Sequence, residues 1–132
     1  MKIHRLKTWP EHYGDVYSEK KKQDIRIDDR GFKKEDILIL QEYDPETAKY
    51  SGAAMIRVVT HVLREHEGLK PGYVIMSIRH PGQISGACAL CKCTDTNCRQ
   101  CIEKTGQPCH WVNPEHTLCS ACAFEGEEVS HA

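Results

Sequence analysis

The rhythm of apolar and polar positions changes several times along the chain, and each change marks an element. Ile3 to Lys7 predicts a short first strand. Thr8-Trp9-Pro10-Glu11 then opens a helix. Thr8 and Glu11 have capping-box spacing, and Pro10 falls in the first turn, where its missing N–H costs nothing. Tyr13, Val16 and Tyr17 recur at helical spacing and are expected to face the core. Ser18 to Lys22 is a polar break, after which Ile25 and Ile27 alternate with Asp24, Arg26 and Asp28, the pattern of a half-buried strand. Ile37-Leu38-Ile39-Leu40 is a continuous apolar run, consistent with a strand buried on both faces.

Asp44-Pro45-Glu46-Thr47 has Pro where a type I turn wants it, and Gly52 is expected to close that loop. A long strand follows, with Ile56, Val58 and Val62 expected on one face and Arg57 and His61 on the other. Gly68, Pro71 and Gly72 mark another loop, and Tyr73 to Ile78 a last strand. One helix and about five closely spaced strands predict a small mixed barrel of the α+β class. The expected organisation is a barrel domain over 1–80, a linker over 81–86, a cysteine-rich module over 87–123 and a disordered acidic tail over 124–132.

Composition separates these parts further. All eight cysteines lie between positions 88 and 122, whereas the apolar residues concentrate in the first 80. The second part is too short and polar to fold by burial alone, so it needs disulfides or metal. The charged N-terminus lacks the apolar run of a signal peptide, and no stretch is long enough to cross a membrane. A cytoplasmic setting follows as the expectation, in a bacterium or a phage-infected host, where clustered thiols bind metal more often than they pair. The net charge of −1 hides an asymmetry: residues 1–84 carry 15 Lys/Arg against 13 Asp/Glu, and the remainder 3 against 6. Neither half is basic enough for charge alone to indicate nucleic acid.

The cysteines run Cys88-x2-Cys91-x-Cys93-x4-Cys98-x2-Cys101-x7-Cys109-x9-Cys119-x2-Cys122. Two intervening residues let a tight turn aim both sulfurs at one ion, and two such knuckles close a tetrahedral site. The outer pairs Cys88/Cys91 and Cys119/Cys122 fit a zinc-ribbon-like site. Cys93, Cys98, Cys101 and Cys109 remain for a second, with His110 or His116 able to replace one of them. Four-sulfur sites leave no position for water and are structural. One or two zinc ions are expected ahead of an iron–sulfur cluster, although thiolates suit both. Removing the metal is expected to unfold the module and to leave the barrel nearly intact, since the barrel's core contains no cysteine.

The module also resembles a short cysteine-rich unit attached to various phage and bacterial proteins. The likeness rests on Cys91-Lys92-Cys93-Thr94-Asp95, Gly106-Gln107-Pro108-Cys109-His110-Trp111-Val112 and Leu118-Cys119-Ser120-Ala121-Cys122. The first 80 residues in turn resemble the ASCH superfamily, whose domains share the pseudobarrel of PUA-type RNA-binding domains, and within it the DUF3850 branch. The matching segments are His4-x-Leu6-Lys7-x-Trp9-Pro10-Glu11, Ile25-Arg26 with Asp29-Arg30, and Asp36-Ile37-Leu38-Ile39-Leu40. Two more are Glu42-Tyr43-Asp44-Pro45-Glu46-Thr47 and Gly68-Leu69-Lys70-Pro71-Gly72-Tyr73-Val74-Ile75.

The superfamily's Gly-x-Lys-x-x-Glu-x-Arg pattern reads here Glu19-Lys20-Lys21-Lys22-Gln23-Asp24-Ile25-Arg26, keeping Lys21 and Arg26 but replacing Gly by Glu19 and Glu by Asp24. The resemblance implies that these residues line a cleft facing RNA or a modified nucleoside. One branch of the superfamily hydrolyses the acetyl amide of N4-acetylcytidine with a lysine, a threonine and a glutamate. Lys21 matches the lysine, while Asp24 stands at the threonine position.

Each of these residues also has a plainer reading. Lys20-Lys21-Lys22 fits a solvated turn, Asp24 and Arg26 a surface ion pair, and Trp9 a core aromatic. With the resemblance, the expected cleft comprises Lys7, Trp9, Lys21, Asp24, Arg26 and Arg30, its cations contacting phosphate or a base edge. Three functions follow as expectations. The first is binding of RNA or a nucleotide. The second is an amidohydrolase acting through Lys21 and Asp24 on a modified nucleoside. The third is a phage-encoded factor whose zinc module docks on a host protein.

Overall fold

A computed structural model describes residues 2–82, 88, 90, 110–113 and 116–124. Among these residues five strands and two helices run in the order β1 (Ile3–Thr8), α1 (Pro10–Tyr17), β2 (Gln23–Ile27), β3 (Ile37–Asp44), β4 (Lys49–Leu63), β5 (Tyr73–Arg79) and α2 (Ser120–Phe124). The strands form one curled sheet in the order β1-β3-β4-β5-β2, with β1 parallel to β3 and every other pair antiparallel. Its two edges are joined by side chains. From β2, Arg26 Nη2 donates to Thr8 Oγ1 (3.1 Å), and just beyond it Arg30 Nη1 donates to the Arg5 carbonyl (3.0 Å). None of the helices among the described residues is long and apolar enough to cross a membrane.

Alternation builds the interior. Leu6 of β1, Leu38 and Leu40 of β3, Met55 and Val59 of β4, and Val74 and Met76 of β5 pack with Phe32 and with Tyr13 and Val16 of α1. Side chains of this size each contribute about 1.5–3 kcal/mol when fully buried. The opposite face of β3 is covered as well. Ile39, with Ala54 of β4, lies under Cys88, Val112, Leu118, Cys119, Ala121, Cys122 and Ala123. Three polar contacts fix this cover: Gln41 Nε2 to the Ala123 carbonyl (2.7 Å), Arg5 Nε to the Cys122 carbonyl (3.0 Å) and Ala54 N to the Val112 carbonyl (3.2 Å). The apolar run Ile37–Leu40 is thus a two-faced strand, and the cysteine segment supplies its second face.

Several expectations change. The α1 N-cap is Trp9, with no side-chain cap bond, because Thr8 ends β1 with its side chain turned inward to Arg26. Tyr17 is largely exposed and stacks on Tyr13 at 6.5 Å, while Tyr13 and Val16 are buried. On β2 the expected faces are exchanged: Ile25 and Ile27 are 51% and 47% exposed, and Asp24 only 7%. Gly52 lies inside β4 rather than closing the hairpin. Its φ of +95° falls where Gln41 pairs with Ala54 but Tyr43 pairs with Tyr50, so β4 accommodates extra residues. A second irregularity separates Val59 from His61, opposite Ile78 and Ser77. Before it Met55, Arg57 and Val59 share the interior side, so Arg57 is buried at 5% exposure; beyond it Val62 packs against the same core.

Candidate functional site

The junction of β1 with α1, the turn after α1 and strand β2 converge on a cavity of about 290 Å³. Lys7, Thr8, Trp9 and His12 line it from the first junction, Lys21 from the turn, and Asp24, Ile25 and Arg26 from β2. Chain direction explains the convergence. β1 runs straight into α1, whose N-cap Trp9 and first-turn His12 are three positions apart and therefore on one side. The polar edge strand β2 then returns its Asp24 and Arg26 face towards the end of β1.

Within the cavity, Arg26 Nε bonds Asp24 Oδ2, and Arg26 Nη2 holds the Thr8 hydroxyl, which itself lies 3.5 Å from the Leu6 carbonyl. The carboxylate and guanidinium are therefore presented as one oriented, half-buried unit. Lys21 Nζ lies 3.4 Å from His12 Nδ1. Lys7 Nζ sits over the Tyr43 ring at 4.4 Å from its centroid, a cation–π contact that leaves the ammonium at the rim. Trp9 is 42% exposed, so an indole face remains open for stacking. The lining combines four cationic or titratable bases, one carboxylate, one hydroxyl and one indole. That set can stack a planar ring and read its edge with both donors and an acceptor.

Of the six residues expected in the cleft, Lys7, Trp9, Lys21, Asp24 and Arg26 come together here. Arg30 does not line the cavity; it ties the β2 side to the β1 backbone. Thr8, His12 and Ile25 were not anticipated. In the sequence Thr8 reads as part of a capping box, and the i to i+3 spacing from Trp9 is the signal that points to His12.

A second centre lies on the outer face of the sheet. The Sγ atoms of Cys88, Cys119 and Cys122 all lie within 4.8 Å of one another, and all three residues are buried. Tetrahedral zinc with Zn–S bonds of about 2.3 Å would place sulfurs about 3.8 Å apart. Cys119 opens α2, and the Cys122 backbone N–H lies 3.5 Å from Cys119 Sγ, the support a thiolate receives in a knuckle. As a hydrogen-bond partner Cys122 lowers the Cys119 pKa, but the bond with Cys88 and burial outweigh it and raise that thiol to about 12. The Cys122 thiol is raised too, by its bonds to Cys119 and Cys88 and then by burial. Three sulfurs so close and so buried would be ionised together only beside a compensating cation, so the donor set fits a metal ion.

Cys91, proposed as the fourth sulfur, lies outside the described residues, as do Cys93, Cys98, Cys101 and Cys109, most of the 81–86 linker and nearly all of the 124–132 tail. His110 and His116 are described and are not part of the sulfur group; His116 stacks on Trp111 at 5.4 Å.

The family model for DUF3850, a domain of unknown function, matches residues 3–78. It spans more than half of the chain, which therefore belongs to that family. No curated protein matches the chain.

Proposed function

We propose that this DUF3850 protein binds a nucleotide, free or as one unit of RNA, with its base in the β1–α1–β2 cavity. One observation carries the reading: an exposed indole, a carboxylate oriented by a guanidinium and two lysines line a single concave site. Trp9 supplies the stacking surface. Asp24 accepts from an exocyclic amine, while Arg26 donates to a neighbouring ring nitrogen or carbonyl, and Lys7 and Lys21 attract phosphate. At about 290 Å³ the cavity lies near the small end of ligand sites, which suits one unstacked base and excludes a duplex. The ASCH pseudobarrel likeness agrees with this reading.

Titration of short single-stranded RNA and of ribonucleotides into a Trp111→Phe variant, followed by quenching of the remaining Trp9 fluorescence at two salt concentrations, tests it. Binding that weakens with salt and falls about tenfold in Arg26→Gln is expected, tenfold being the loss of one charge-assisted hydrogen bond. Absence of any quenching at low salt would sink the proposal.

In the same reading, Cys88, Cys119 and Cys122 with Cys91 hold a structural zinc ion in a reducing compartment, and the cysteine-rich module docks on a protein partner. Metal analysis of the purified protein checks the ion; iron with a brown chromophore would replace zinc by a cluster.

A second reading, hydrolysis of an acylated nucleoside, draws on the Thr8 hydroxyl and Lys21 sharing the cavity. Against it, that hydroxyl accepts from Arg26 and turns its own proton towards the Leu6 carbonyl, so the bonds at hand do not activate it. Incubation with N4-acetylcytidine that returns only intact substrate removes this reading.

A further inference from the structure

A smaller cavity of about 120 Å³ opens beside the first, and Lys21 lines both. Its lining includes Lys22, Arg57, Arg79 and His80 besides Lys21, against a single carboxylate, Glu19. In a chain of net charge −1, this concentration of cations comes from placement and not from composition. Backbone pairing places Lys22, Arg57 and Arg79. The Ile78 N–H donates to the Lys22 carbonyl at 3.0 Å, which sets Lys22 beside the end of β5. The register of β4 with β5 pairs Val58 with Arg79, so Arg57 and Arg79 reach the same end of the barrel.

Arg57 forms the floor. It points inward among the residues that alternate into the core, is 5% exposed, and donates Nη1 to the Ile56 carbonyl at 2.8 Å. Glu19 sits at the rim with φ +64°, a left-handed conformation that is uncommon for residues other than glycine.

We infer that this basic cavity takes a phosphate group of the same ligand, so that the protein recognises a nucleotide by base and phosphate together. Lys21 is the bridge, facing the base cavity on one side and the phosphate cavity on the other. The inference rests on the nucleotide reading of the first cavity, but it uses its own residues. A phosphate suits the lining because its oxygens accept from several donors at once, and Arg57 and Arg79 offer planar forks. The phosphate can come from a free nucleotide or from an RNA backbone.

Isothermal titration calorimetry at low salt, with four kinds of probe, tests this: inorganic phosphate, the common ribonucleosides, their 5′-monophosphates and a trinucleotide. Inorganic phosphate should bind, about tenfold more weakly in Arg79→Gln and in Lys22→Gln, and more tightly in Glu19→Gln. Monophosphates should bind at least tenfold more tightly than nucleosides, and Arg79→Gln should erase that gain while leaving nucleoside affinity unchanged. All three substitutions are at exposed positions, and circular dichroism confirms that each variant is folded. A trinucleotide that binds more tightly than the monophosphate identifies backbone phosphate as the source; equal affinity identifies the free nucleotide. If nucleosides bind and phosphate adds nothing, the basic-cavity inference falls and the base cavity stands. If phosphate binds with the expected dependence on Arg79 and Lys22 but no nucleoside adds affinity, the base reading falls and the anion site stands.

Discussion

Replacing Ile39 by alanine tests whether the cysteine segment forms part of the barrel's structure. Ile39 is fully buried, yet it points away from the barrel interior, and its cover is Cys119, Cys122, Leu118 and their neighbours. If that cover is in place, Ile39→Ala is a core truncation and costs about 3 kcal/mol, within the usual 2–5 kcal/mol for Ile to Ala. At this chain length that is a fall in Tm of roughly 12 °C, taking about 4 °C per kcal/mol. Urea unfolding followed by far-UV circular dichroism, with metal bound, measures it.

The metal enters through a cycle. Chelation under reducing conditions loosens the sulfur cluster, and Ile39 is then solvent-facing, where the same substitution costs less than about 1 kcal/mol. The coupling between substitution and chelation should therefore be about 2 kcal/mol. A loss below 1 kcal/mol in the metal-bound protein would refute the packing of the segment on β3. An equal loss with and without metal would show that the cover stands without the ion. The barrel is accordingly expected to weaken when metal is removed, instead of staying nearly intact as its cysteine-free core implies.

Other perturbations reach different parts of the molecule. Glu19→Gly should stabilise the fold by about 1 kcal/mol, because glycine accepts φ +64° without the 1–2 kcal/mol cost of the left-handed region but loses part of this gain to backbone entropy; chemical denaturation reads the change. Trp9→Ala should weaken base binding tenfold to a hundredfold, about 1–3 kcal/mol for one stacked base, with little loss of stability, since the indole is 42% exposed. Burial raises the Asp36 pKa, but bonds from His4 Nε2 (2.8 Å) and from the Lys2 and Lys33 backbone N–H groups (both 3.0 Å) outweigh it and hold the pKa below its ordinary 3.8. Ionised Asp36 therefore stabilises the fold above that value, and the contribution is lost as pH falls through the lowered one. Asp36→Asn should cost about 3 kcal/mol at neutral pH and less in acid, where a flatter pH–stability profile would be the sign.

The candidate site was legible unevenly. Lys7, Trp9, Lys21, Asp24 and Arg26 came to attention through the resemblance, and they line one cavity. Alternation by itself pointed the wrong way on β2, because an apolar–polar pattern is assigned with the isoleucines inside. That rule fails where a strand turns its polar face to a cavity. Arg57 was hidden for a related reason. The irregularity at Thr60 changes which residues face inward along β4, and a frame counted from one end does not survive an inserted residue.

By itself the sequence determined the element order, the two-faced character of Ile37–Leu40 and the concentration of sulfur ligands near the end of the chain. These depend on local spacing, and local spacing is written in consecutive residues. Only the tertiary structure decided what covers the second face of that strand, that Cys88 joins Cys119 and Cys122 across some thirty positions, and that Lys21 stands between two cavities. Each is a contact between segments remote in sequence. Such contacts are set by strand order, register and the curl of the sheet, which no single segment encodes.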